Sequence, residues 1–143
     1  MSFVTRIPAA PAHVALGHFQ ARLQFETDAA DVGAAVARDD VDFTLIDVRS
    51  TAAYAAGHIP GALSIPHQQI TADKLPDGPL VVYCCGPGCN GAQHGAAKIA
   101  ALGREVKEML GGWEYYVREG WPTEGERTDL HVADDRGLVG LPA

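Results

Sequence analysis

The sequence predicts an α/β fold, a parallel sheet with helices on both faces, and three observations lead there. The run PLVVYC, from Pro79 to Cys84, is continuously apolar, as a strand covered on both faces must be. Two other short runs, FTLID (Phe43 to Asp47) and EVKEML (Glu105 to Leu110), also read as strands. Helical segments lie between them, and strands alternating with helices of this length imply right-handed crossovers joining parallel strands.

The elements follow in chain order. From Pro11 to about Leu23, the residues Leu16, Phe19 and Leu23 recur at helical spacing, and Pro11 suits a first helical turn. This N-terminal helix precedes the main domain. Its apolar stripe suits a lid on the core, the favoured reading, or a surface for a second copy of the chain. Phe25 to Thr27 reads as an edge strand, and Asp28 is placed to cap the alanine-rich helix DAADVGAAVAR. Ser50 can cap a short helix, TAAYAA, that stops at Gly57. Asn90 can cap a longer one, GAQHGAAKIAAL, that stops at Gly103 and presents Ala92, Ala96, Ile99 and Leu102 on one face. The expected divisions are a helical extension over 1–27, the α/β domain over 28–122 and a polar, acidic, glycine-dotted tail over 123–143.

The 143 residues are 47% hydrophobic, enough for one sizeable core and too few for two comfortable domains. With 18 acidic against 11 basic residues the net charge is −7, which disfavours steering toward nucleic acid or an anionic membrane. The first residues contain no continuous apolar stretch of the secretory kind, and no window approaches the roughly 20 apolar residues of a membrane span. A cytoplasmic protein is expected. No internal repeat points to a solenoid.

All three cysteines, Cys84, Cys85 and Cys89, fall within one short window, whereas a disulfide-stapled fold scatters them. A buried strand ending in Cys84, then a Gly/Pro-rich loop, then a helix, sets a thiol at the carboxyl edge of the sheet, where open α/β folds bind ligands. The amides of Gly86, Gly88, Cys89, Asn90 and Gly91 can converge there, helped by the positive end of the following helix. Such a field favours thiolate over thiol and is expected to lower the Cys84 pKa from about 8.5. The plainer alternative makes Cys84 a small buried apolar residue.

These residues resemble the rhodanese-like domain family. DVRSTAAYAAGHIPGALSIP, from Asp47 to Pro66, resembles the upstream signature of that family; LVVYCCGPGCNGA resembles its strand and active-site loop; LGGWEYYVREGWP resembles its closing segment. Three motifs in the right order, covering about Asp28 to Pro122, are a specific match. The resemblance implies a sheet of about five parallel strands and a cysteine that accepts sulfane sulfur as a persulfide and passes it to a thiophilic acceptor. Cys84 matches the persulfide-forming cysteine, and Cys85, Gly86, Pro87, Gly88, Cys89 and Asn90 match the loop around the transferred sulfur. The implied partners are a small sulfur donor and a thiol or protein acceptor, with no metal or organic cofactor.

Two departures bear on substrate. Members that use thiosulfate usually carry an arginine or lysine in the loop, and this loop has neither, which counts against thiosulfate as the natural donor. The loop is about one residue longer than the commonest type, as in related phosphatases, but no arginine lies between Cys84 and Arg104 to clamp a phosphate.

Cys89 is a candidate resolving thiol that would attack a Cys84 persulfide, release sulfide and leave a disulfide. Cys85, adjacent in sequence, is the poorer partner. The pair Cys84 and Cys89 also suits a redox-sensing or protein-binding module without turnover. A zinc site from the three cysteines and His94 is disfavoured, because neighbouring cysteines tend to diverge and C-x2-C spacing is absent. Asp47, Arg49, Tyr54 and His58 read as structural, fixing the turn after the strand and the G-H-I-P bend. His67 can approach the loop. Trp113, Tyr115, Tyr116 and Trp121 read as packing residues, some of them rimming the pocket.

Overall fold

Leu80–Tyr83, the most apolar stretch of the chain, is the middle strand of a five-stranded, all-parallel sheet, and each of its residues is buried. The protein is described by a computed structural model over residues 1–125. Most of the tail expected over 123–143 lies outside the described residues. In chain order the elements are α1 (Ala12–Phe25), β1 (Glu26–Asp28), α2 (Ala29–Ala37), β2 (Thr44–Asp47), α3 (Thr51–Ala56), β3 (Leu63–Ser64), β4 (Leu80–Tyr83), α4 (Gly91–Ala101), β5 (Val106–Leu110) and α5 (Gly112–Arg118). Two 3-10 turns, His67–Gln69 and Ala72–Lys74, lie between β3 and β4. The strand order is β1-β5-β4-β2-β3.

The two-residue period of a strand divides the core. On β4, Val81 and Tyr83 face a cluster with Ala29 and Val32 of α2 and Trp113 and Tyr116 of α5. Leu80 and Val82 face the opposite cluster, with Ala92 and Ile99 of α4 and Ile65 and Ile70. Helices therefore cover both faces, as the unbroken apolar run of β4 requires.

Local signals account for most element ends. The Asp28 carboxylate accepts from the Asp31 amide at 2.8 Å and the Ser50 hydroxyl from the Ala53 amide at 3.1 Å, so both expected caps are made. Asn90 is different: it precedes α4 but its side chain makes no capping bond, because its backbone (φ −114°, ψ 15°) is not the extended one a capping side chain needs. Leu102 also departs from expectation. It follows the last turn of α4 and is 44% exposed, so only Ala92, Ala96 and Ile99 of the expected face meet the core.

Helix α1 forms as expected but is no lid. None of its residues is buried, and Leu16, Phe19 and Leu23 are 59%, 57% and 72% exposed. It lies at the β1–β5 side of the sheet, where Lys107 Nζ donates to the Leu23 carbonyl at 2.9 Å, and it joins neither core cluster. Among the described residues no helix is long and apolar enough to cross a membrane.

Candidate active site

After Tyr83 the chain leaves the sheet at its carboxyl edge and forms the loop 84–90 before entering α4. The loop is held from below by the start of α5. The Trp113 amide donates to the Cys84 carbonyl and the Glu114 amide to the Cys85 carbonyl, both at 2.8 Å. Two amides of a first helical turn, which have no partner within their own helix, are thus used to fix the loop. Gly112 makes the approach feasible: it has φ +60°, and a Cβ there would lie 2.6 Å from the Cys84 carbonyl oxygen and 2.8 Å from the Gly86 nitrogen.

Within the loop the Cys89 amide donates to the Gly86 carbonyl at 3.2 Å, and the Cys89 thiol donates to the same oxygen at 3.4 Å. The Cys89 amide is therefore spent on closing the turn and does not join the expected cradle. Pro87, Gly88 and Asn90 are exposed, and a Cβ on Gly88 would meet nothing within 4 Å.

The loop brings three sulfurs together. The Sγ atoms of Cys84, Cys85 and Cys89 all lie within 4.8 Å of one another. Cys85 is 1% exposed, whereas Cys84 and Cys89 are partly open. Adjacent cysteines were expected to diverge, but the bend immediately after β4 turns both inward. His94 lies outside this cluster.

The charge sits differently from expectation. Hydrogen bonds with Cys85 and Cys89, followed by burial, push the Cys84 thiol up. Hydrogen bonds from Cys84 and Cys85, aided by the backbone at Gly86 and Gly91, hold Cys89 well below the ordinary thiol range. The backbone field was expected to fall on Cys84. The groups of Gly86 and Gly91 act on Cys89 instead, because the loop curls so that they meet its sulfur.

Cys84 and Cys89 open into a cleft of about 630 Å³ between the loop, the start of α2, the end of β5 and α5. Asp28, Glu108 and Glu119 line it, Tyr115 rims it, and among the described residues no lysine, arginine or histidine does. Glu108 is pushed up by burial, then by Glu26 and by Cys89. A larger cleft of about 1130 Å³ lies at the amino edge of the sheet and includes no cysteine.

The family model described as "Rhodanese-like domain" matches residues 28–119. The chain belongs to the rhodanese-like domain family. It is 37% identical over 91 residues to an HTH-type transcriptional regulator, Rv0324, of Mycobacterium tuberculosis, a match that covers 61% of this chain and 40% of that protein. The chain thus spans well under half of that relative. The BH2092 protein of Bacillus halodurans superposes with a TM-score of 0.77 at 39% identity, covering 81% of this chain and 88% of that one. A thiosulfate sulfurtransferase of Pseudomonas aeruginosa superposes with a TM-score of 0.58 at 26% identity, covering 72% of this chain and 20% of that one.

In this rhodanese-like domain the upstream signature is structural, as expected. Asp47 and Arg49 pair at 2.7 Å with both side chains fully enclosed. Tyr54 donates its hydroxyl to the Ala62 carbonyl at 2.7 Å and stacks on His58, with ring centroids 3.7 Å apart. His58 Nδ1 lies 2.7 Å from the Tyr54 carbonyl and Nε2 3.3 Å from Glu124, so it fastens the bend to residues near the end of the domain. Trp113 and Tyr116 are buried in the core.

His67 does approach the loop. A Cβ built on Gly91 would lie 2.5 Å from Cys84 Sγ and 3.6 Å from His67 Cδ2, so sulfur and ring converge on one point. The His67 ring stacks on His94 at 5.6 Å, and burial, then Lys98 and His94, push its pKa down. Sequence reasoning missed Gly112 and Glu108 as parts of the site. The G-G-W tripeptide carried the signal for Gly112; a glycine pair straight after a strand and before an aromatic marks a close backbone approach.

Proposed function

We propose that this rhodanese-like domain is a sulfurtransferase that moves sulfane sulfur through a persulfide on Cys84, residues 28–122 being the working unit. The observation that carries the reading is the sulfur cluster: Cys84 at the carboxyl end of the central strand, with the Cys89 sulfur within 4.8 Å of its own. Cys84 attacks the outer sulfur of the donor as a thiolate, its proton having left to solvent through the open cleft. The sulfur–sulfur bond of the donor breaks, and the leaving group departs as a thiolate or an equivalent anion. A small thiol, a protein cysteine or cyanide then takes the outer sulfur from Cys84. Among the described residues the cleft is lined by carboxylates and by no lysine, arginine or histidine, which supports a donor of low negative charge over thiosulfate. The test is thiocyanate formation from cyanide with several sulfane donors, which Cys84→Ser should abolish.

A second reading has its own support. Sulfurs this close suit a Cys84–Cys89 disulfide, and one relative is a transcriptional regulator, so the domain would sense oxidants or sulfane sulfur without turnover. Under that reading an oxidant removes two hydrogens, both cysteines are required, and no sulfur is passed on.

A further inference from the structure

We propose that Cys84, Cys85 and Cys89 together form a binding site for a trivalent thiophilic ion, held by three sulfur bonds and represented experimentally by arsenite. The inference goes beyond sulfur transfer, in which Cys85 takes no chemical part.

Geometry comes first. A metal–sulfur bond of about 2.3 Å places ligated sulfurs about 3.8 Å apart at tetrahedral angles. The three Sγ atoms already lie within 4.8 Å of one another, so ligation asks for small side-chain shifts. Among the described residues no histidine, aspartate or glutamate joins the cluster as a fourth ligand, which disfavours an ion that needs four. Sulfur ligands select soft ions over hard ones.

Charge then chooses among the soft ions. Three thiolates around a monovalent ion leave two negative charges, around a divalent ion one, and around a trivalent ion none. Cys85 is 1% exposed, and the cleft beside the cluster is lined by the carboxylates of Asp28, Glu108 and Glu119. Further negative charge placed beside these carboxylates is costly, so the neutral complex is favoured. Arsenite reaches it without redox chemistry. Three arsenic–oxygen bonds break, three arsenic–sulfur bonds form, and the three thiol protons leave with the hydroxides as three waters.

The test uses the full reduced chain and sodium arsenite, read by native mass spectrometry. The expected product is a one-to-one adduct that has gained one arsenic and lost three hydrogens. Cys85→Ala should weaken capture by on the order of 100-fold or more, since even outer-shell losses cost 10–100-fold. Its circular dichroism checks the fold, and the more exposed Cys89→Ser is a second variant. The mass of the wild-type adduct decides independently of any variant, because capture by two thiols keeps one hydroxide and is heavier by one water. No adduct, the heavier adduct, undiminished capture by Cys85→Ala, or capture of cadmium in preference to arsenite would each overturn the proposal.

Discussion

Arg49 grips Asp47 with two nitrogens inside the core: Nε lies 3.0 Å from Oδ1 and Nη2 2.7 Å from Oδ2. Nη2 also donates to the Gly57 carbonyl at 2.6 Å, and the guanidinium lies 4.8 Å from the centre of the Trp113 ring. The pair thereby ties the end of β2 to the end of α3 and to the helix that supports the cysteine loop. Removing one partner leaves a buried charge, so Asp47→Ala should destabilise the domain by about 3–5 kcal/mol. Urea denaturation is the measurement. Arg49→Lys should also be costly, because an ammonium cannot reproduce the forked contact.

Two glycines at the site should respond in opposite ways. At Gly91 an added Cβ meets the movable sulfur of Cys84, so Gly91→Ala should keep its melting temperature within a few degrees. It should nevertheless slow sulfur loading by at least about tenfold, because the displaced nucleophile loses its alignment. At Gly112 the added Cβ meets backbone at φ +60°, with no flexible atom to yield. Gly112→Ala should cost well above the roughly 1–2 kcal/mol of a left-handed alanine and unseat the loop. Thermal melts alongside sulfur loading separate the two cases.

Most of the scaffold was legible in the sequence because its signals are local. The apolar run of β4, the caps at Asp28 and Ser50, and the glycine that ends α4 each act within a few residues. Strand β3 was not read from its own residues: Leu63–Ser64 is held by pairing with Ile46 and Asp47, and two residues carry no periodicity. Helix α1 was readable as a helix and misread as a lid, since spacing reports a stripe and not what covers it. At the site the place of Cys84 at the end of β4 was visible, and the gathering of all three sulfurs was not. How close the sulfurs come depends on how the loop folds back, and no spacing rule contains that.

Glu108 offers a test through pH. Its folded-state pKa is raised by burial, Glu26 and Cys89, so its stabilising contribution is complete below the unfolded carboxylate value of about 4.3 and is lost as pH rises through the folded value. Glu108→Gln should therefore melt higher than the wild type at pH 7, and the difference should vanish near pH 4. A difference of the same size at both values would place the effect in packing instead of charge.

The N-cap at Asp28 sits on the rim of the cleft as well as at the start of α2. Asp28→Ala should lose about 1 kcal/mol of stability. The same change removes one of the carboxylates that face the thiols, so it should raise the rate of loading from thiosulfate relative to a neutral donor. Parallel denaturation and donor-competition assays check the two effects.

Cys84 is the proposed carrier of the sulfur. Intact-protein mass spectrometry after incubation with thiosulfate, and separately with an organic persulfide, tests it most directly in the wild type, Cys84→Ser and Cys89→Ser. The expected result is a gain of one sulfur atom that cyanide discharges, absent in Cys84→Ser, slower but present in Cys89→Ser, and larger from the persulfide than from thiosulfate. Sulfur retained in Cys84→Ser and lost in Cys89→Ser would contradict it and make Cys89 the carrier.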